Sequence, residues 1–183
     1  MKQTVCFFLV LLLAGCSSLP QELTSSQAVV ITEYSAFSTV AESNRESDVR
    51  LGGVIARIDN LTTTTRIEVV NLPISASGKP DIAQEPNGRF VVYFDGFIDP
   101  VTYAKGRLIT VLGQSNGIEK ATVGDYLYSF PIITGVGIHL WQVQEYVVTN
   151  DFNMNYMPCT GSRCLHQRSR LETRRGKVVQ EVQ

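Results

Sequence analysis

From Val49 onward the chain is written in short β-type runs separated by turn residues, with almost no window at helical spacing, and this restricts it to a sheet-based fold. The first run is Val49 to Asp59, whose paired Gly52 and Gly53 suit a bulge or a sharp coil in a barrel strand. A polar connection, Asn60 to Thr64, leads into Thr65 to Leu72, where Ile67 and Val69 point one way and Arg66 and Glu68 the other. Pro73 to Gly88 is rich in Pro, Ser, Gly and Asp and reads as a long crossing loop. Arg89 to Phe97, Arg107 to Gly113, Tyr126 to Ile133 and Gly137 to Val148 supply four further runs, with tight-turn chemistry at Asn87-Gly88 and Asn116-Gly117. Upstream, Val29 to Thr32 reads as a short extended entry. Phe37, Val40 and Ala41 then fall at helical spacing. The expectation is an all-β domain with a short N-terminal helix, built as a small five- to six-stranded barrel of OB-like type. A two-sheet sandwich carries a similar signature.

The N-terminus has a different character. Lys2 precedes an apolar run, Val5 to Leu13, and the next charge is Glu22, which is the layout of a targeting segment. A membrane-spanning helix needs about 20 apolar residues, and this run ends too early, at Gly15-Cys16-Ser17-Ser18-Leu19-Pro20. Two cleavage readings follow. Ala14 and Cys16 can act as the small residues of an ordinary signal site, releasing a chain that starts at Ser17. Alternatively Leu13-Ala14-Gly15-Cys16 resembles the bacterial lipobox, cut between Gly15 and Cys16, with diacylglycerol on the Cys16 thiol and an acyl group on the new amino terminus. Each buried methylene contributes roughly 0.8 kcal/mol, so several acyl chains on one residue give a lasting attachment. With Ser17 rather than Asp after the cysteine, the lipobox reading implies delivery to the outer membrane by the lipoprotein sorting machinery. The predicted organisation is a signal peptide over 1–15, a lipidated N-terminus and flexible tether over 16–28, the β-domain over 29–150 and a basic, flexible tail over 151–183.

Charge divides the chain the same way. Residues 16–157 carry 9 basic and 15 acidic side chains, whereas residues 158–183 carry 6 basic and 2 acidic ones. On a membrane-tethered protein such a tail would attract anionic lipid or lipopolysaccharide phosphates. Nucleic acid is not expected as a partner in that compartment. Cys159 and Cys164 are the two cysteines left once Cys6 and Cys16 are accounted for, and an oxidising setting favours a disulfide between them. Closing so small a loop contributes only roughly 2 kcal/mol. With His166 they could begin a zinc site, but a fourth ligand is missing nearby, and no metal is expected.

Catalytic chemistry has little to rest on. His139 and His166 are the only histidines, and neither lies in a nucleophile motif. Gly135-Val136-Gly137 lacks the third glycine and the helix that phosphate binding requires. Asp95 and Asp99 are separated by a Gly-Phe-Ile turn that suits a loop better than paired acid and base. No catalytic residue and no cofactor beyond the covalent lipid on Cys16 is expected. Gly96 to Pro100 reads either as a strand end turned by Asp-Pro with Phe97 and Ile98 buried, or as a ligand lip. Tyr93, Tyr103 and Trp141 form the candidate ligand face for a glycan or acyl chain, although Trp141 also suits core or rim packing.

Gly88-Arg89 through Gly96-Phe97-Ile98-Asp99-Pro100, then Tyr103 and Ile109 to Gly113, with Lys79-Pro80-Asp81 upstream and His139-Leu140-Trp141 downstream, carry a family resemblance. Together with the lipobox, Leu51-Gly52-Gly53 and Leu72-Pro73, the pattern resembles the starvation-inducible outer-membrane lipoprotein (Slp) family of Gram-negative bacteria over most of residues 13–148. The resemblance implies a location more than a mechanism: an outer-membrane lipoprotein linked to starvation or stationary-phase stress, with no agreed activity and no catalytic set; a domain facing the periplasm is the expectation added to it. The expected role is a non-enzymatic structural or binding module of the envelope. The rival readings are a glycan- or lipid-binding module and an envelope hydrolase resting on His139.

Overall fold

Alternation of inward apolar and outward side chains makes the predicted runs into five strands that close on one another. The computed structural model describes residues 19–148 and 177–183. Strands β1 (Asp48–Asn60), β2 (Thr64–Leu72), β3 (Gly88–Asp95), β4 (Leu108–Val123) and β5 (Tyr126–Trp141) pair in the order β1-β2-β3-β5-β4, and β4 returns to β1 to complete a ring. All neighbours are antiparallel except β3 and β5, which run parallel. The inward positions of every strand fill the interior: Val49, Leu51, Ile67, Val69, Phe90, Val92, Ile109, Val111 and Ile133 are all but inaccessible.

The predicted helix forms as α1 (Tyr34–Glu42) and buries Phe37 and Ala41 on the ring. Phe37 meets Phe90, near the start of β3, edge to face with ring centroids 6.3 Å apart, a favoured aromatic geometry. Tyr34 donates to the Arg89 carbonyl over 2.8 Å. Together they stopper the end of the ring where β1 and β3 begin.

Several expectations give way to the folded chain. β4 was expected to stop at Gly113 and Asn116-Gly117 to turn. Instead β4 continues to Val123 through an irregularity between Ser115 and Ile118, and the turn comes at Gly124-Asp125. Gly117 takes φ +74°, a left-handed conformation that serves a bulge as well as a turn. Two strands were expected between Tyr126 and Val148, but β5 runs unbroken through Gly135-Val136-Gly137. Gly52 and Gly53 stay in regular pairing with Leu72 and Asn71, and the shift in β1 falls between Ile55 and Arg57.

Only the end of the sixth expected run, after Trp141, is not part of the ring. β6 (Val143–Val148) pairs with β7 (Lys177–Val182) in a separate two-stranded sheet, within which the Gln180 amide donates to Glu145. The last residues of the predicted flexible tail are therefore a strand. Residues 149–176 lie outside the described residues, as do residues 1–18.

Candidate functional site

The outward face of a closed ring is normally wet, but here two separate stretches of it are covered. On the outer side of β1, β4 and β5, Leu108, Leu112 and Trp141, joined by Leu72 from the end of β2, form a second apolar cluster outside the ring. Residues 19–28 were expected to be a free tether. The first part of that stretch is instead seated on this cluster: Leu19 and Leu23, at either side of a single 3-10 turn (Gln21–Leu23), find an apolar surface there. Leu23 is fully buried. Burying a leucine contributes about 1.5–3 kcal/mol.

Backbone contacts fix the seat. The Glu22 carbonyl lies against Gly137, where any Cβ would overlap it. Arg50 donates from Nε to the Leu23 carbonyl over 2.9 Å, and its partial burial lowers its pKa. Trp141 donates from Nε1 to the Thr110 hydroxyl over 2.9 Å, and Thr110 donates onward to the Gly78 carbonyl over 2.6 Å. Lys79 stands 5.9 Å from the centre of the Trp141 ring and donates to the Val182 carbonyl. His139 packs edge-on against Trp141 and shares a 2.6 Å hydrogen bond from Nδ1 with Glu22, which holds the exposed Glu22 carboxyl below its usual range. Among the described residues no hydroxyl or thiol is hydrogen-bonded to His139.

The second cover is charged. The long β4–β5 hairpin reaches the outward side of β2 and β3, where Arg66 donates from Nε to Glu119 over 3.0 Å and the Tyr93 hydroxyl donates to the other Glu119 oxygen over 2.6 Å. Burial works against the Arg66 charge, but Glu119 and Tyr93 outweigh it and the guanidinium pKa is raised. Burial, then Glu119, raises the Tyr93 hydroxyl. Beneath the hairpin Arg66 lies over Phe130, 5.7 Å from the ring centre. Arg89 pairs with the nearly buried Glu68 at 2.6 Å. A cleft of about 450 Å³ opens between this pair, Arg57, Lys105 and the hairpin tip at Thr122 to Gly124.

A third feature is the loop between β3 and β4. The Asp99 carboxylate accepts from the amides of Val101 (3.0 Å) and Thr102 (3.2 Å) and from the Thr102 hydroxyl, which lowers its pKa. Asn60 donates to the Ile98 carbonyl and Thr65 to the Gly96 carbonyl, tying this loop to the β1–β2 turn. Ile98 and Tyr103 pack inward on the core, whereas Phe97 is 74% and Val101 81% exposed. Phe97 is thus outside, against the expectation of a buried strand end.

The candidate ligand face divides. Tyr93 stands beside Thr134 on β5, seven residues before Trp141, a separation of about 23 Å along a strand. Trp141 is only 5% exposed, in the outer cluster, and Tyr103 caps the inner one. Gly15, Cys16, Cys159, Cys164 and His166 lie outside the described residues. Sequence reading missed Glu22, Arg66 and Glu119, whose partners are 117 and 53 residues away in the chain. Nothing local marks them.

Lys79-Pro80, Gly52, Leu72, His139 and Trp141, all drawn from the stretches that carried the family resemblance, meet at the outer apolar cluster. The family model described as the outer membrane lipoprotein Slp family matches residues 13–168. An uncharacterized protein of Haemophilus influenzae is 36% identical over 130 residues, 70% of each chain. Outer membrane protein Slp of Escherichia coli is 31% identical over 158 residues, 84% of this chain and 81% of its own. The uncharacterized lipoprotein YeaY of Escherichia coli is 25% identical over 138 residues, 75% and 71% of the two chains. No solved structure matches. On the family match and the similarity to Slp across most of both chains, this chain belongs to the outer membrane lipoprotein Slp family.

Proposed function

We propose that the chain is a lipid-anchored outer-membrane lipoprotein, cut between Gly15 and Cys16, carrying diacylglycerol and an N-acyl group on Cys16 and holding its ring in the periplasm. The carrying observation is that Leu13-Ala14-Gly15-Cys16 falls inside the family match and directly precedes the seated segment. The role is a non-enzymatic structural or binding module of the envelope, delivered by the lipoprotein sorting machinery and serving starvation or stationary-phase stress. The ring is of OB type, a reading supported by its five strands and the parallel β3–β5 pair. In the tail, Cys159 and Cys164 form a disulfide, and the basic side chains meet anionic lipid or lipopolysaccharide phosphates.

Intact mass of protein purified from Gram-negative membranes tests this reading. The expected species is Cys16 to Gln183 with both lipid groups and two hydrogens fewer for the disulfide, and Cys16→Ala abolishes the lipid. An unlipidated chain starting at Ser17 would sink the anchor. A second reading, a binding module for an anionic glycan, is favoured by the cleft where Lys105 and Arg57 flank the Arg89–Glu68 pair. Calorimetric titration with a phosphorylated sugar tests it: binding weakened by Lys105→Ala supports the cleft, and no heat of binding removes it.

A further inference from the structure

The two ends of the ring can be told apart from strand direction alone. β3 and β5 are parallel, and β1 is related to β3 through two antiparallel pairings, so all three strands run the same way. Asn60, Asp95 and Trp141 close those strands at one end. The other end is stoppered by α1. Leu19 lies beside Gly78 and Trp141, at the end where the strands finish. Only Ser17 and Ser18 separate Leu19 from Cys16, so a lipid-bearing Cys16 is held within about 11 Å of Leu19, even with the chain fully extended.

That same end carries the loop with Phe97 and Val101, and Leu61 of the β1–β2 turn, 53% exposed, lies in the turn bonded to it. Hydrogen bonds hold the loop: its one capping carboxylate, Asp99, is turned onto its own backbone amides. Lys105 and Arg107 follow in the loop, both exposed. Clustered apolar side chains on a rigid, polar-rimmed loop mark an interaction surface. The short link to the anchor decides what covers it.

We propose that this end of the ring lies on the lipid surface, with Phe97 and Val101 entering the boundary between headgroups and acyl chains and Lys105 and Arg107 facing lipid phosphates. The inference rests on the Cys16 anchor. The acyl chains supply the affinity, and the short link turns loop insertion into an intramolecular step that needs little binding energy of its own. What the loop adds is orientation: the α1 end points away from the membrane.

The test uses the full lipidated chain in vesicles of phosphatidylethanolamine and phosphatidylglycerol containing a headgroup-nitroxide lipid. In a Cys159→Ser/Cys164→Ser background a fluorophore is placed at Pro100→Cys beside the apolar pair, or at Glu46→Cys just beyond α1, both exposed positions. The expected result is loss of most emission at position 100 and none at 46. Phe97→Ser/Val101→Ser, which alters only exposed side chains, should restore emission at 100 with the lipid still attached. Equal quenching at the two sites, or quenching at 100 that survives the double substitution, overturns the proposal. So does an unquenched label at 100 that becomes shielded only in native outer membranes, which would assign the loop to a protein partner. Intact mass of each sample separates the two failures: unquenched protein with lipid on Cys16 removes this inference alone, and protein without lipid removes the anchor as well.

Discussion

The two covered stretches of the ring's outer surface use opposite physics. On β1, β4 and β5 the N-terminal segment is held by apolar packing around Leu23 and Trp141. On β2 and β3 the β4–β5 hairpin is held by Arg66, Glu119 and Tyr93. Apolar burial is insensitive to salt and pH and fails steeply when a cavity is opened. Partly exposed ion pairs contribute less and respond to ionic strength. The ring therefore holds its N-terminal segment more firmly than its hairpin.

Opening the seat should produce the largest effect. Leu23→Ala removes a fully buried side chain and should cost about 3 kcal/mol in urea unfolding. Gly137→Ala sharpens the same point: its Cβ would occupy the place of the Glu22 carbonyl, so the segment must lift, and limited proteolysis should trim the N-terminus while the ring survives. A trimmed N-terminus in neither variant would dissolve the contrast between the two covers.

Cutting the charged cover should cost less. Glu119→Ala should destabilise by about 2 kcal/mol, since it strands Arg66 and Tyr93 together. Tyr93→Phe added to Glu119→Ala should then cost almost nothing more, because its partner is already gone; additive costs would show that the hydroxyl acts elsewhere.

Next in size are the pH limits. Tyr34, chiefly through burial and then through Tyr128, and Tyr93 both have raised pKa values. Above about pH 10 the unfolded chain releases these protons while the folded chain keeps them, so stability falls as pH rises, and Tyr34→Phe should flatten that alkaline limb. Glu22 and Asp99 shift downward, so their contribution is present above about pH 4 and is lost as pH falls through the folded values. The smallest effect belongs to Arg57→Ala. Its ion pair with Asp59 is solvent-exposed, and the change should stay within about 0.5 kcal/mol.

Much of the ring was legible because period-2 alternation is a local signal. β1 and β2 begin one residue earlier than expected, and α1 contains Phe37, Val40 and Ala41, the three residues at helical spacing. The hairpin was not legible, since Asn116-Gly117 offers the same left-handed geometry to a bulge as to a turn, and only pairing with β5 decides between them. Gly135 and Gly137 looked like a strand break because glycine breaks strands in isolation; here Gly137 leaves room for another backbone. The seat left a faint trace, two leucines in a segment otherwise rich in Ser, Gln and Pro, with no sign of the surface awaiting them. The aromatic trio was joined by residue type alone, and strand register separates it.

The pairing of Glu22 with His139 spans 117 positions of the chain. A chain synthesised N-terminus first presents residue 22 early and residue 139 near the end, and contacts so far apart in sequence form late. Leu19 to Leu23 thus have no complete seat until His139 and Trp141 are in place. They lock down only when the last strand of the ring has formed, so the first described residues of the chain are among the last to find their place.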